Sequence, residues 1–352
     1  RNNAGALPLA PDSKIALFGV TSYDFITGGT GAGNVNGSYV IDLRQGLSDA
    51  GFALDKTTDE FYADCMRYER FNTKRINSKF DQWFVDAERP AEALPSKDIL
   101  TRAAKEADKA IITIGRIFGE GKDRLHQFSY LLSAAETRLI KAVSEAFHAE
   151  GKRLIVVLDV GGIVDMTAWQ DMADAIVVSW LPGCEAGHAV ASVLSGRETP
   201  SGRLPMSVPV SYYDDPTACS MPQILTDKPV NYSFYRPAPA GIKKRYDLEN
   251  IDYVNYREGI YSGYRYYVTE KVRTAYPFGF GLSYTDFRYS GMTVEEDGED
   301  FVVSLDVENT GGHSGKEVVQ IYVRAPGRDM DKPSRELKGF TKTCTLAPGQ
   351  SE

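Results

Sequence analysis

The sequence predicts an α/β fold, a mostly parallel sheet sandwiched by helices, followed by a small and incomplete all-β sandwich. Up to residue 194, short apolar runs alternate with helical patterns, which is the order of elements in parallel sheets covered by helices. From residue 287 onward, apolar and polar residues alternate one by one, as in strands that bury one face. The chain of 352 residues is also longer than one ordinary domain, so we expect at least two.

Four apolar runs have the length and the β-branched content of strands buried on both faces. They are Lys14–Val20, Ala110–Ile114, Lys152–Val160 and Asp174–Trp180. The helices predicted between them span 42–50, 98–107, 133–150 and 185–194. Asp42 supplies an N-cap, and Ser133 with Glu136 forms a capping box. Residues 56–96 show no clean period and are predicted to be helical or irregular.

In a parallel sheet, the loops that follow the strands meet at the carboxyl edge, where open α/β proteins bind their ligands. The loops that would meet there are 21–36, 115–128, 160–165 and 181–187. The functional site is therefore expected at this edge of the sheet.

The loop after Ala110–Ile114 contains a carboxylate between two glycines, Gly119-Glu120-Gly121, with Asp123 and Arg124 close behind. Glycines allow tight turns and the close approach of another molecule. A carboxyl group held there could donate a proton to a leaving group if its surroundings keep it protonated near neutral pH. Spacing alone leaves open the alternative of a solvated turn whose charged residues face water.

A second loop at the same edge, from Gly28 to Asn34, is rich in glycine and small polar residues. Its glycines come too late after the first strand and miss the GxGxxG spacing, and GxxxxGK[ST] does not occur, so nucleotide binding is not favoured. What remains is a loop whose backbone amides and polar side chains, Thr30 and Asn34, could approach a hydroxyl-rich ligand.

Composition excludes several functional classes. Hydrophobic residues at 42% describe a chain able to bury a sizeable core, and a formal charge of −8 argues against nucleic-acid and anionic membrane partners. The cysteines and histidines have no metal-ligand or disulfide-framework spacing. No apolar run approaches the roughly 20 residues of a membrane-spanning helix, and no signal peptide is visible. Because the chain begins with Arg1 rather than Met, we expect a fragment, which leaves its cellular location unknown.

Composition also divides the chain into three parts. Residues 1–211 form the predicted α/β domain, 212–285 an extended arm with a linker, and 286–352 the all-β domain. The aromatic residues of the arm either pack onto the first domain or line an outer site by stacking on a ligand. The all-β part has room for about four strands where a sandwich needs about seven, so we expect residues outside this chain to close its edge.

Several motifs, in the order in which they occur, resemble one known family. They are Gly115-Arg-Ile-Phe-Gly-Glu-Gly-Lys-Asp-Arg124, Leu132-Ser-Ala-Ala-Glu136, Leu154-Ile-Val-Val-Leu158, Trp180-Leu-Pro-Gly183 and Pro200-Ser-Gly-Arg-Leu-Pro205. Together they resemble the C-terminal α/β-sandwich domain of glycoside hydrolase family 3, the β-glucosidase family. The run Tyr276-Pro-Phe-Gly-Phe-Gly-Leu-Ser-Tyr284, with Asn309-Thr-Gly311 and Lys338-Gly-Phe340, is similar to the linker and the fibronectin type III-like domain of that family.

The resemblance implies a retaining glycosidase in which two carboxyl groups flank the scissile bond. In family members with a GEGxDR loop, the general acid/base is the Glu of that loop, which falls on Glu120 here. The nucleophile of the family is an Asp on a (β/α)8 barrel domain. Asp123 and Arg124 are then expected to brace the acid/base loop.

The same resemblance implies a substrate-binding role for four residues at the predicted edge. They are Thr30, Gly31, Asn34 and Arg116. Related sequences often carry Ser where this chain has Ala32, so a hydroxyl contact at that position is excluded.

No stretch of the chain predicts a barrel of eight βα units, and the Ser-Asp-Trp motif of the nucleophile does not occur. The resemblance puts the barrel before Arg1 or after Glu352, so the chain is predicted to be inactive without it. The expected partners are a β-glucoside or oligosaccharide substrate and the barrel-containing remainder of the enzyme, and a homo-oligomer is left open. No metal or organic cofactor is required, because two carboxyl groups suffice. The alternatives are a β-xylosidase of the same family and a non-catalytic glycan-binding or structural module.

Overall fold

The computed structural model describes residues 1–3, 5–33, 37–72, 89–117, 126–218, 256–327 and 330–352. Its first part is built on a parallel sheet of five strands in the order β2-β1-β3-β4-β5. The strands are β1 Lys14–Phe18, β2 Ala53–Leu54, β3 Lys109–Arg116, β4 Arg153–Val160 and β5 Ala175–Val178. The α/β fold class predicted from the sequence is confirmed.

The sheet is covered by helices on both faces. Consecutive side chains of a strand point to opposite faces, and consecutive residues such as Ile111, Ile112, Val156 and Val157 are all fully buried. Such strands need cover on both sides, which is why they read as unbroken apolar runs. The longer helices of this part are Leu43–Asp49, Lys56–Asn72, Lys97–Glu106, Ala134–Ala149 and Ala186–Leu194.

The helix ends follow from local sequence. The Asp42 carboxylate accepts a hydrogen bond from the Gln45 amide at 2.8 Å, and Ser133 and Glu136 form the predicted capping box. Gly151, directly after the helix that Ser133 opens, has φ +68°, a left-handed conformation that glycine adopts at little cost. These three ends therefore agree with the sequence prediction to within a residue or two.

Helices 43–49 and 186–194 cross at two glycines. A Cβ atom on Gly46 would lie 2.2 Å from the Gly187 carbonyl, and one on Gly187 would lie 1.9 Å from the Asp42 carbonyl oxygen. The Gly187 amide also donates to the Ile41 carbonyl at 2.8 Å. The crossing therefore requires residues without side chains, which the sequence pattern did not indicate.

The second part of the chain is made of short antiparallel pairs. β6 Val208–Pro209 pairs with β7 Thr274–Tyr276, β8 Phe287–Asp297 with β9 Asp300–Asn309, and β10 Val318–Val323 with β11 Glu336–Lys342. A short helix, Tyr264–Thr269, precedes β7. Val307, Val319 and Leu346 form a small buried cluster, against which Phe287, Leu305 and Ile321 pack. From β8 onward this is the all-β region that the alternating pattern predicted, whereas β6, β7 and the short helix precede it in the chain.

The described residues form two compact units. The first contains 1–195 together with 211–213 and residue 218, and the second contains 196–210, 214–217 and 256–352. The turn 201–206 thus packs with the antiparallel strands, through Arg203, whose guanidinium pairs with Glu317 at 2.6 Å and donates to the Gly281 carbonyl. The proposed domain limits at 211 and 285 stay predictions.

Candidate active site

The carboxyl ends of β1, β3 and β4 meet at one edge of the sheet, as predicted. Gly19, directly after β1, has φ +88°, and a Cβ atom there would lie 2.5 Å from the Thr113 carbonyl oxygen. The Ser22 hydroxyl donates to the Phe18 carbonyl and is hydrogen-bonded to the Thr113 hydroxyl, each at 2.7 Å. Gly115 of β3 lies beside Asp159 of β4 in the ladder. Close packing and hydrogen bonds therefore hold the strand ends from which these loops start.

Four of the residues predicted for the site lie outside the described residues: Asn34, Glu120, Asp123 and Arg124. Their roles stay predictions. The strand that leads to Glu120 and the chain that follows it are described, as β3 on one side and residues from His126 onward on the other.

Arg116 is the last residue of β3, and its guanidinium is fully engaged within the protein. Its Nη1 and Nη2 atoms contact the two Glu136 carboxylate oxygens at 2.6 and 2.7 Å. It also donates to three carbonyl oxygens, those of Gly115, Ser129 and Leu131. A guanidinium has five N–H donors, so this arrangement uses all of them.

Glu136 is held as an anion by this arrangement. Burial by itself would raise the pKa of the Glu136 carboxyl, but the Arg116 guanidinium and the Ser133 amide hold that pKa below its ordinary value. The Ser133 amide donates to Glu136 Oε2 at 2.7 Å. One carboxylate therefore both caps the helix 134–149 and pairs with the last residue of β3.

In the glycine-rich loop, the structure describes Thr30 and Gly31. Thr30 is 6% exposed, and its hydroxyl has no hydrogen-bond partner among the described residues. Gly31 has φ +67° and begins a short 3-10 helix, Gly31–Gly33. A Cβ atom on Gly28 would lie 2.7 Å from the Gly33 carbonyl oxygen, so the loop folds tightly back on itself. The Thr30 hydroxyl is thus a buried group able to accept or donate a hydrogen bond.

Asp159, near the end of β4, is a group of this edge that the sequence reading missed. It is fully buried, its Oδ2 accepts from the Ile26 amide at 2.6 Å, and its Oδ1 has no partner among the described residues. Burial raises the pKa of Asp159 to about 8, against the lowering effect of the Ile26 amide and of Arg89. A carboxyl inside an apolar strand, two residues before Gly161-Gly162, was the signal that could have identified it.

Glu92 is a second carboxyl with a raised pKa at this edge. Burial raises the pKa of Glu92 to about 7, although the Ala93 and Val20 amides donate to its oxygens. Val20 follows β1, so Glu92 reaches the carboxyl edge from the stretch 56–96 that had no clear sequence pattern. Two carboxyl groups of this edge therefore keep protons at a pH where an exposed carboxyl is ionised.

Backbone strain marks the same edge. Trp180, two residues after β5, has φ +57°, which non-glycine residues rarely adopt. The Gly183 amide donates to the Thr27 carbonyl at 3.1 Å and so joins the chain after β5 to the glycine-rich loop.

The part of the chain that the structure describes holds neither a metal-binding cluster nor a membrane-spanning helix. No group of three or more His, Cys, Asp or Glu side chains could hold a metal ion there. No helix within the described ranges is both long and apolar enough to cross a membrane.

Comparison with known families decides the affiliation. Residues 1–284 match the glycosyl hydrolase family 3 C-terminal domain. The chain belongs to glycosyl hydrolase family 3. Residues 317–352 match the fibronectin type III-like domain, which agrees with the antiparallel strands β10 and β11.

Three relatives that match over the whole chain are beta-glucosidases. Beta-glucosidase A of Butyrivibrio fibrisolvens is 32% identical over 100% of this chain and 43% of its own length. The solved structure of beta-glucosidase 3B from Thermotoga neapolitana in complex with glucose is 40% identical and superposes with a TM-score of 0.86, over 100% of this chain and 46% of that one. The structure of a beta-glucosidase from Paenibacillus barengoltzii is 30% identical and superposes with a TM-score of 0.83. The match covers 100% of this chain and 36% of that one. This chain thus spans less than half the length of each of these relatives.

Proposed function

We propose that this chain is part of a retaining β-glucosidase that releases terminal non-reducing β-D-glucose. In this proposal Glu120 is the general acid/base, and the nucleophile is an Asp on a barrel domain outside this chain. The observation that carries the proposal is the likeness, over the full chain, to a β-glucosidase solved in complex with glucose. The carboxyl edge supports it, because β3 leads directly into the segment that contains Glu120.

The proposed chemistry divides hydrolysis into two steps. In the first, the Asp attacks the anomeric carbon while Glu120 donates a proton to the departing glycosidic oxygen, which leaves a covalent glucosyl-enzyme and the free aglycone. In the second, Glu120 takes a proton from water as that water attacks the anomeric carbon, which releases glucose and the Asp. Glu120 must therefore hold its proton near neutral pH, and burial raises the pKa of two carboxyl groups at the carboxyl edge, Asp159 to about 8 and Glu92 to about 7.

For the sugar contacts we propose Thr30, Gly31 and Asn34. The buried Thr30 hydroxyl, unpartnered among the described residues, and the tight backbone at Gly31 are suited to a hydroxyl-rich ligand. Arg116 was expected to bind substrate as well. Because all five of its donors are engaged within the protein, a bracing role is favoured for it instead. Asp123 and Arg124 keep their expected role as braces of the acid/base loop.

The test is hydrolysis of p-nitrophenyl β-glucoside by the full-length protein that contains this chain. Glu120→Ala is expected to lower turnover by about 10²- to 10⁴-fold, since that is the usual contribution of a positioned proton donor. Azide is expected to restore turnover in the variant and to give a glucosyl azide of retained configuration, because the anion needs no general base. Near-normal turnover of Glu120→Ala without azide would place the acid elsewhere.

A pentopyranoside substrate is the second candidate. An exo-alpha-(1->6)-L-arabinopyranosidase of Bifidobacterium longum is 33% identical over 76% of this chain. Pyranoses without a C5 hydroxymethyl group therefore belong in the same assay, as p-nitrophenyl β-xyloside and α-L-arabinopyranoside. A higher kcat/KM on either pentoside than on the glucoside would assign the protein to that class. No hydrolysis of any of the three would favour the non-catalytic module.

A further inference from the structure

One side chain joins the two ends of the segment that contains Glu120. Arg116 ends β3, immediately before that segment, while its hydrogen-bond partners Ser129, Leu131 and Glu136 all follow it. The contact to the Ser129 carbonyl is 3.2 Å and that to the Leu131 carbonyl is 3.3 Å. The positions of the chain before and after the segment are therefore fixed relative to each other by the Arg116 guanidinium.

The returning chain is itself well anchored. The Leu131 amide donates to the His126 carbonyl at 2.9 Å, and the Asp165 amide donates to the Tyr130 carbonyl at 2.8 Å. The side chains of Arg116 and Glu136 are only 12% and 10% exposed. A planar, bidentate pair that water barely reaches holds one geometry more strictly than an exposed pair does.

The Arg116–Glu136 pair duplicates what other contacts already supply to the fold. The β3–β4 ladder holds Arg116 beside Val160 without help from the side chain. Ser133 caps the helix 134–149 by accepting from the Glu136 amide at 3.2 Å. The guanidinium adds to these contacts a direct hydrogen-bonded connection between the chain before the 118–125 segment and the chain after it.

We propose that Arg116 and Glu136 are positioning residues for the acid/base Glu120, an inference that rests on the proposed function. By fixing both ends of the segment, they set where its carboxyl group stands relative to the glycosidic oxygen. Proton donation depends steeply on that placement, and a displacement of about 1 Å costs up to roughly 100-fold in rate. Neither side chain touches the substrate in this proposal.

The substitutions separate positioning from folding. Glu136→Gln removes the charge, and with it the bidentate ion pair with Arg116, yet Gln still serves at this position of a capping box, so the helix end is kept. Arg116→Lys keeps the positive charge but loses the planar pair of N–H groups that contacts both Glu136 carboxylate oxygens. Arg116→Gln combined with Glu136→Gln leaves no unpaired charge and serves if a single variant fails to fold. Lys141→Gln, which removes an exposed charge from the same helix, is the matched control.

The experiment compares kcat/KM on two aryl glucosides with the full-length protein. Phenyl β-glucoside has a poor leaving group that must be protonated, whereas 2,4-dinitrophenyl β-glucoside departs without a proton. Glu136→Gln and Arg116→Lys are expected to lower kcat/KM by about 10- to 100-fold on the phenyl substrate and by less than about 3-fold on the dinitrophenyl one. Lys141→Gln is expected to change neither value.

An equal loss on both substrates, or no loss on either, would overturn the positioning role. Glu120→Ala is the reference for the proposed function. If it shows the leaving-group-dependent loss and the Glu136 and Arg116 variants do not, only this inference fails. If Glu120→Ala hydrolyses the phenyl glucoside normally, the proposed function fails and the inference fails with it.

Discussion

The two units of this chain bury their strands to very different extents. The strands β3 and β4 are buried along most of their length, whereas on β8 and β9 the side chains of Met292 and Phe301 are 70% and 67% exposed. The carboxyl groups whose pKa burial raises are Asp159, Glu92 and Asp42, and all three belong to the first unit. The comparison teaches that antiparallel strands with one exposed face do not by themselves raise the pKa of a carboxyl group. The edge of a sheet that is covered on both faces can raise that pKa, because it removes carboxyl groups from water.

The largest effect on stability is expected from breaking the buried Arg203–Glu317 ion pair of the second unit, whose strands are otherwise largely exposed. Arg203→Met leaves Glu317 as an unpaired anion whose side chain is only 9% exposed. The free energy of unfolding of this unit is expected to fall by roughly 3–5 kcal/mol. Hydrogen exchange of peptides from β8 to β11 measures it separately from the first unit.

The control for Arg203 is Arg288→Met. Arg288 also pairs with a glutamate, Glu308, but its side chain is 65% exposed. Exposed pairs contribute at most about 1 kcal/mol, so a small change is expected. Equal losses in the two variants would mean that burial does not distinguish these ion pairs.

The next effect belongs to the first unit and depends on pH. The pKa of Asp159 is about 8 in the folded chain and 3.8 for an ordinary Asp. Between these values the unfolded chain has lost the proton and the folded chain keeps it, so the free energy of unfolding falls as pH rises. Asp159→Asn removes this dependence and is expected to be more stable than the wild type by roughly 2–4 kcal/mol at pH 8, with little difference at pH 4.

Urea unfolding at pH 4, 6 and 8 measures this difference. Asp12→Asn, which changes an exposed carboxylate, is the control and is expected to leave the pH dependence unchanged. Arg89 opposes and Asp24 adds to the raised pKa of Asp159, so both stay unchanged in the comparison. A destabilised Asn variant at pH 8 would show that Asp159 is ionised and paired instead.

The smallest of the three effects tests the helix crossing of the first unit. A methyl group on Gly187 would lie 1.9 Å from the Asp42 carbonyl oxygen, so Gly187→Ala has to push the helices 43–49 and 186–194 apart. A loss of roughly 1–3 kcal/mol is expected from thermal unfolding. Gly202→Ala in the second unit meets no atom within 4 Å and is expected to change the free energy of unfolding by less than about 0.5 kcal/mol. A neutral Gly187→Ala would show that the crossing can relax.

Much of the fold could be read from the sequence because its signals are local. Runs of β-branched residues gave the four long strands, and Asp42 and Ser133 gave the starts of two helices. The strand β2 has two residues and thus no period to detect. The helix Lys56–Asn72 carries only a weak amphipathic pattern, so the sequence predicts that stretch only as helical or irregular.

The candidate site could be read only in part, for a physical reason. The position of a loop at the carboxyl edge follows from the order of strands, and that much was predicted. The engagement of Arg116 depends on carbonyl groups of residues 129 and 131 and on Glu136, which only the folded chain brings to it. The pKa of Asp159 depends likewise on burial by the whole sheet, so a sequence pattern shows the residue and not its state.

The Arg116 contacts also bear on how much change the segment 118–125 can tolerate. The Arg116 guanidinium joins the chain before the segment 118–125 to the chain after it. A change in the length of the segment is therefore expected to leave the positions of the sheet and of the helix 134–149 unchanged. Lengthening a loop whose ends are already held costs little, about 0.6 kcal/mol for each doubling. Changes in the length of the segment are therefore expected to cost the scaffold little as long as Arg116 and Glu136 are kept.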